Sequence, residues 1–152
     1  MRLQISTRLA IFAALELTAE DGRQLSVADI GEKYGVSSHH LAKVMHVMGR
    51  AGLVRAVRGA GGGYQFAGNA RRTTLLDIAQ LFEELSTAEP DADGADTAPE
   101  DRALRQVLNE IDDIARATLG SITIATMHKL VERRTGNGAQ ANAGTRRKRP
   151  QI

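Results

Sequence analysis

The 152-residue chain has no cysteine and no tryptophan, and only 3% of its residues are aromatic. Without a thiol it can form no disulfide, no thiolate nucleophile and no cysteine-ligated metal or cluster. With few aromatics, its core falls to Leu, Ile, Val, Ala and Met. Long apolar runs are also missing, since nothing approaches the roughly 20 consecutive residues that span a bilayer. The opening Met1–Thr7 shows neither the apolar stretch nor the small-residue cleavage site of a secretory signal. These absences predict a soluble, cytoplasmic protein with no membrane partner.

Catalytic groupings are absent too. None of the four histidines, His39, His40, His46 and His128, stands in the sequence context of a catalytic triad or of a paired acid and base. The glycine cluster Gly59-Ala60-Gly61-Gly62 lacks the Lys-Ser/Thr of a nucleotide loop and does not open a helix. The chain does not read as an enzyme.

Acidic residues are missing from one stretch: there is no Asp or Glu between Gly35 and Leu75. The formal net charge of +2 therefore hides a division. Residues 1–72 carry ten Lys or Arg against five Asp or Glu, whereas residues 73–135 carry six against thirteen. Residues 136–152 add four more cations, Arg146, Arg147, Lys148 and Arg149. A basic first half beside an acidic second half points to a polyanionic partner for the first.

The apolar spacing predicts a mainly α fold. Leu9, Phe12, Ala13 and Leu17 mark a helix from Thr7 to about Glu20. Ser26 caps a short helix, Val27–Tyr34, which Gly35 ends. Ser37 caps the next, reaching Arg50, with Leu41, Val44, Met45 and Met48 on one face and His39, Lys43, His46 and Arg50 on the other. Two extended stretches, Leu53–Arg58 and Gly63–Phe66, flank the glycine cluster as a hairpin. Thr74 caps a helix to about Leu85, and the acidic segment 86–98 follows as a loop. Pro99 opens a long helix whose Leu104, Val107, Leu108, Ile111, Ile114 and Ala115 repeat at three-four spacing. Gly120-Ser121 interrupts the pattern before a last helix, Ile122 to about Arg134. Residues 136–152 have the composition of a disordered basic tail. Its cations would add salt-sensitive affinity for a polyanion, or serve only solubility.

Helix, tight turn, amphipathic helix and glycine-tipped hairpin is the order of a winged helix-turn-helix with a small β-hairpin wing. The second helix of such a unit enters the major groove with its first turns at the base edges. This assigns Ser37, Ser38, His39, His40 and Lys43 to the DNA, with Arg50 on the same face. Arg55, Arg58 and Gly61 serve the wing, residues 54–66. The DNA-binding domain is then 1–72 and a helical dimerisation region 73–135.

Met1-Arg2-Leu3, Ser37-Ser38-His39-His40-Leu41-Ala42-Lys43-Val44, Gly52-Leu53-Val54 and Val57-Arg58-Gly59-Ala60-Gly61-Gly62-Gly63-Tyr64 resemble the iron–sulfur cluster regulator and nitric-oxide-sensitive repressor (IscR/NsrR/BadM-type) family. Thr74-Leu75-Leu76-Asp77-Ile78 through Glu83 continues the match more weakly. The likeness is close over residues 1–85 and faint from Pro99 to Arg134. It implies a homodimeric transcriptional repressor, paired through the long helix and reading a partly palindromic operator on double-stranded DNA.

Cluster-binding members carry three cysteines before the long helix, where this chain has Ala, Asp and Pro. Arg8 stands where some relatives place an acidic ligand. The expectation is a member with no cofactor and no metal, responding to a small-molecule or protein effector. Two alternatives stay open: iron held by His128, Glu83, Glu84 and the loop aspartates, or cysteines replaced by design. From another class, a winged-helix interaction module under a protein partner's control is the rival function, with Glu89–Asp101 as the partner's site.

Overall fold

Helices begin where a side chain can take up backbone N–H groups that the first turn leaves unpaired. The computed structural model describes residues 2–83 and 98–144, with side chains through Gly136. In chain order its elements are α1 (Ile5–Leu17), β1 (Gln24–Leu25), α2 (Val27–Tyr34), α3 (Ser38–Arg50), β2 (Val54–Val57), β3 (Gly63–Phe66), α4 (Leu75–Ala79), α5 (Pro99–Ser121) and α6 (Ile124–Gly144). Ser26 with Asp29, and Thr74 with Asp77, form reciprocal capping boxes at α2 and α4. Ser37 Oγ accepts the His40 N–H at 3.2 Å to start α3. Pro99 occupies the first turn of α5, with Glu100 and Asp101 beside its positive end.

The ends depart from expectation more than the starts. α1 begins at Ile5 and stops at Leu17, where Thr18 Oγ1 donates to the Ala14 carbonyl at 2.6 Å. α4 ends at Ala79 instead of near Leu85, because the amides of Leu81 and Phe82 turn back to the carbonyls of Ile78 and Ala79. That turn carries Glu83 back towards the start of α1. α6 runs past the expected stop at Arg134 to Gly144. Adding a residue to an existing helix costs far less than nucleating one, and Ala139, Ala141 and Ala143 are strong helix formers. The loop 86–98, but for Ala98, and the cations of 146–149 lie outside the described residues.

The sheet has a third strand that periodicity did not predict. Its order is β1-β3-β2, antiparallel throughout, pairing Gln24 with Gln65 and Arg55 with Gln65 across β3. The hairpin is therefore anchored to the segment between α1 and α2. Behind it the core gathers around α1, whose Leu9, Ala10, Ala13, Ala14 and Leu17 meet Leu41, Val44, Met45 and Met48 of α3, with Ile78 and Ile124. Leu75 N–H bonds the Ile122 carbonyl at 2.8 Å and Ile124 N–H the Thr73 carbonyl at 3.0 Å, tying the α5–α6 junction to this body.

Along α5 only Leu119 is buried. The rest of its apolar stripe stands in the open, with Leu104, Val107, Leu108, Ile111 and Ile114 between 50% and 67% exposed. Among the described residues no helix is long and apolar enough to cross a membrane.

Candidate nucleic-acid interface

The turn between α2 and α3 is closed by two glycines. Gly35 sits at φ +65°, where side chains with a Cβ are strained, and ends α2. Gly31 lets α3 fold back closely: a Cβ there would lie 2.6 Å from the Val36 carbonyl oxygen. The same pair of residues is bonded through Val36 N–H to the Gly31 carbonyl at 2.9 Å.

Leu41, Val44, Met45 and Met48 are at most 2% exposed, and this fixes the rotation of α3 about its axis. The opposite face is thereby turned to solvent, with Ser37, Ser38, His39, Lys43, His46 and Arg50 exposed. Ser38, His39 and Lys43 cluster within the first two turns. Arg50 stands at the other end of the 13-residue helix, about 18 Å from Ser38 at 1.5 Å per residue. Ser37 uses its oxygen on the His40 amide and keeps its hydroxyl hydrogen free to donate. His40 is half-buried and turned towards α1, its Nε2 3.4 Å from Ser6 Oγ.

The wing carries its own bracing. Gly59 and Gly61 adopt positive φ at the hairpin tip. The Gln24 side-chain amide donates to the Gly61 carbonyl. Gln65 Nε2 donates to the Gly22 carbonyl at 3.0 Å, while its Oε1 accepts from the Arg55 guanidinium at 2.9 Å. Arg55 is thus held along the sheet, and Arg58 projects, exposed, from the start of the tip. No spacing in the sequence announced Gln24 or Gln65. The signal lay in the β1 register, which exists only once the chain has folded.

A second unannounced group stiffens the α1–α2 pair. Glu16, 9% exposed, accepts from Lys33 Nζ at 2.5 Å and Tyr34 Oη at 2.7 Å. Burial pushes its carboxyl pKa up, but hydrogen bonds from Lys33 and Tyr34 outweigh that and hold it below the ordinary glutamate value. Burial and the Glu16 bond drive the Tyr34 phenol upward, so it stays a donor. The Tyr34 ring stacks on Phe12 with centroids 4.9 Å apart.

The family model for Rrf2, the iron-dependent transcriptional regulators, matches residues 3–130. This chain belongs to the Rrf2 family. The HTH-type transcriptional regulator BadM of Rhodopseudomonas palustris is 47% identical over 147 residues, covering 93% of this chain and 94% of that one. CymR of B. subtilis, the global cysteine regulator, superposes with a TM-score of 0.70 at 25% identity, covering 86% of this chain and 98% of its own. IscR of T. potens superposes at 0.65 with 27% identity, covering 86% and 88%. The fold is that of a winged helix-turn-helix regulator with an appended C-terminal helix, and the family is one of transcriptional regulators, not enzymes.

Among the described residues, this Rrf2 chain offers no side chains that fit the iron its family's description implies. It has no sulfur donor except Met, and iron–sulfur clusters are held by thiolates in nearly every case. Two of the oxygen and nitrogen candidates, Glu83 and His128, are engaged elsewhere. Glu83 Oε1 accepts the Gln4 N–H at 2.7 Å and the Thr7 hydroxyl at 2.5 Å. His128 Nε2 lies 2.8 Å from Thr18 Oγ1, whose own hydrogen goes to Ala14, so the imidazole is the donor. Among the described residues, no three His, Asp or Glu side chains are grouped to hold a metal ion; Glu84 and the loop aspartates lie outside them.

Proposed function

We propose that this Rrf2 regulator is a homodimeric, sequence-specific repressor that binds a partly palindromic operator in the cytoplasm and works without a thiolate-ligated cluster. One observation carries the reading. The solvent face of α3 and the wing beside it belong to a 39-residue stretch, residues 36–74, with no carboxylate in it, so nothing there repels a phosphate backbone. A helix about 10–12 Å across suits a major groove about 12 Å wide. Ser38, His39 and Lys43 occupy the end that meets base edges, the Ser37 hydroxyl can donate to a phosphate, and Arg58 flanks the groove.

The stripe on α5 supports the dimer. Five large apolar side chains at helical spacing, each at least half exposed, find no covering partner among the described residues. A second copy brings the same stripe, and two-fold pairing sets two α3 helices against the two halves of a palindrome. The signal is then a small-molecule or protein effector.

Selection of duplexes from a randomised pool, followed by fluorescence anisotropy across a salt series, tests this. The expected result is a palindromic consensus and an affinity falling steeply with salt, with a slope of about −0.9 per neutralised phosphate. No consensus, with salt-insensitive capture of a protein instead, would replace the reading by that of an interaction module.

A further inference from the structure

One cavity of about 270 Å³ lies where the segment before α1, the turn after α4 and the middle of α5 meet. Its walls combine two kinds of surface. Leu3, Ile111 and Ala115 are apolar, while Arg2, Glu83, Asp112 and Arg116 bring both signs of charge. Arg2 and Asp112 matter most here. Among the described residues neither side chain makes a hydrogen bond or ion pair, even with the other, although they line one cavity. Glu83 is committed to the start of α1 through Gln4 and Thr7. At about 30 Å³ of liquid per water the space equals roughly nine waters, the scale of a small metabolite.

We propose that this cavity is the effector site and that its ligand is a small zwitterion of amino-acid size, with one carboxylate and one ammonium group. This deepens the repressor reading and rests on it. The Arg2 guanidinium supplies the planar donor fork that binds a carboxylate in two bonds. Asp112 supplies the acceptor for the ammonium, and Leu3, Ile111 and Ala115 bed the carbon skeleton. A simple anion would leave Asp112 facing it, and a simple cation would leave Arg2 facing it. A ligand carrying both charges satisfies both walls.

The site is also wired to the DNA face. Glu83 joins the cavity wall to the first turn of α1, and Ser6 in that turn sits 3.4 Å from Nε2 of His40 on the DNA-facing helix. Ile111 and Ala115 belong at once to the cavity and to the apolar stripe of α5. Filling the cavity therefore shifts the start of α1 and the seating of the second copy together.

The test uses the full-length protein and the duplex selected above. Thermal unfolding and DNA anisotropy are recorded with the common free amino acids, added one at a time at millimolar concentration. At least one is expected to raise the Tm and to change the DNA affinity by about 5-fold or more, the lower range of allosteric coupling. Arg2→Gln and Asp112→Asn should each abolish both responses and keep the probe-free DNA affinity. The same amino acid stripped of its amine, or of its carboxylate, should do nothing. Ser6→Ala should keep the thermal shift and lose most of the DNA response. No response to any amino acid, a response that survives both variants, or an equal response to the amine-free acid would overturn the assignment. Probe-free DNA binding separates the two readings: if it is present and salt-sensitive while every probe fails, only the cavity proposal falls.

Discussion

α3 and α5 carry the same apolar signature with opposite outcomes. In α3 the residues at i, i+3, i+4 and i+7 are at most 2% exposed, packed under α1 and β2. In α5 the stripe from Leu104 to Ile114 is half exposed or more, and only Leu119, in the last turn, reaches the core. Spacing alone says that a helix has a partner; it does not say in which chain the partner lies. Burying five such side chains is worth on the order of 1.5–3 kcal/mol each. Among the described residues α5 forgoes this burial, and the proposed second copy would supply it.

The strongest way to break the comparison is to charge the exposed stripe. Leu108→Asp with Ile111→Asp should leave the α1–α4 body folded, give a monomer by sedimentation, and weaken operator binding by about 10²–10⁴-fold through lost bivalency. A double variant that remains dimeric would show that α5 is not the seam.

Single truncations then sharpen the contrast. Met45→Ala removes a fully buried side chain and should cost about 2–5 kcal/mol at any protein concentration. Leu108→Ala should cost less, and its cost should depend on protein concentration because it acts on association. Denaturant melts at two concentrations separate these cases; equal, concentration-independent losses would mean that both stripes pack within one chain.

What the sequence made legible follows the same line between local and distant causes. Ser26, Ser37, Thr74 and Pro99 were readable as helix starts because capping is settled within four residues. The hairpin and the exposed Arg58 beside it were readable from the glycines, and the exposed set Ser38, His39 and Lys43 from periodicity. The two-residue β1 was not, since its strand character comes from pairing with Gln65 and Tyr64 some 40 residues on. Nor did any local pattern announce that the turn after α4 brings Glu83 to Gln4 and Thr7, some 76 residues or more away along the chain. Of the residues assigned to DNA, His40 and Arg55 turn out to have partners within the chain, Ser6 and Gln65, which no local pattern could reveal.

The Glu16 cluster offers a smaller test, on the buried side of the comparison. Its carboxyl is held below the ordinary value of 4.5, so the charged form is favoured by folding. That stabilisation is complete above pH about 5 and fades as the pH falls through the folded-state value. Glu16→Gln should lower stability at pH 7 by about 1.5–3 kcal/mol, the worth of a hydrogen bond to a charged group. It should also flatten the stability profile on the acid side, with the two proteins converging as the pH falls through the folded-state value. Parallel profiles across the whole acid range would mean that Glu16 does not drive the acid sensitivity.

The smallest effect belongs to the exposed face of α3, where side chains carry no packing and only binding should respond. Lys43→Ala should leave the melting curve unchanged and reduce the salt slope by about 0.9, because one phosphate contact is gone. Its loss of affinity should be the same on every operator variant. His39→Ala, one turn nearer the helix start, should keep the slope and instead lower discrimination at one base pair, by about 1 kcal/mol. If the roles come out exchanged, with Lys43 governing base preference, then α3 lies deeper in the groove and its second turn, not its first, reads the operator. If either substitution lowers the Tm, that side chain is packed after all, and the division of α3 into a buried stripe and a free face fails at that residue.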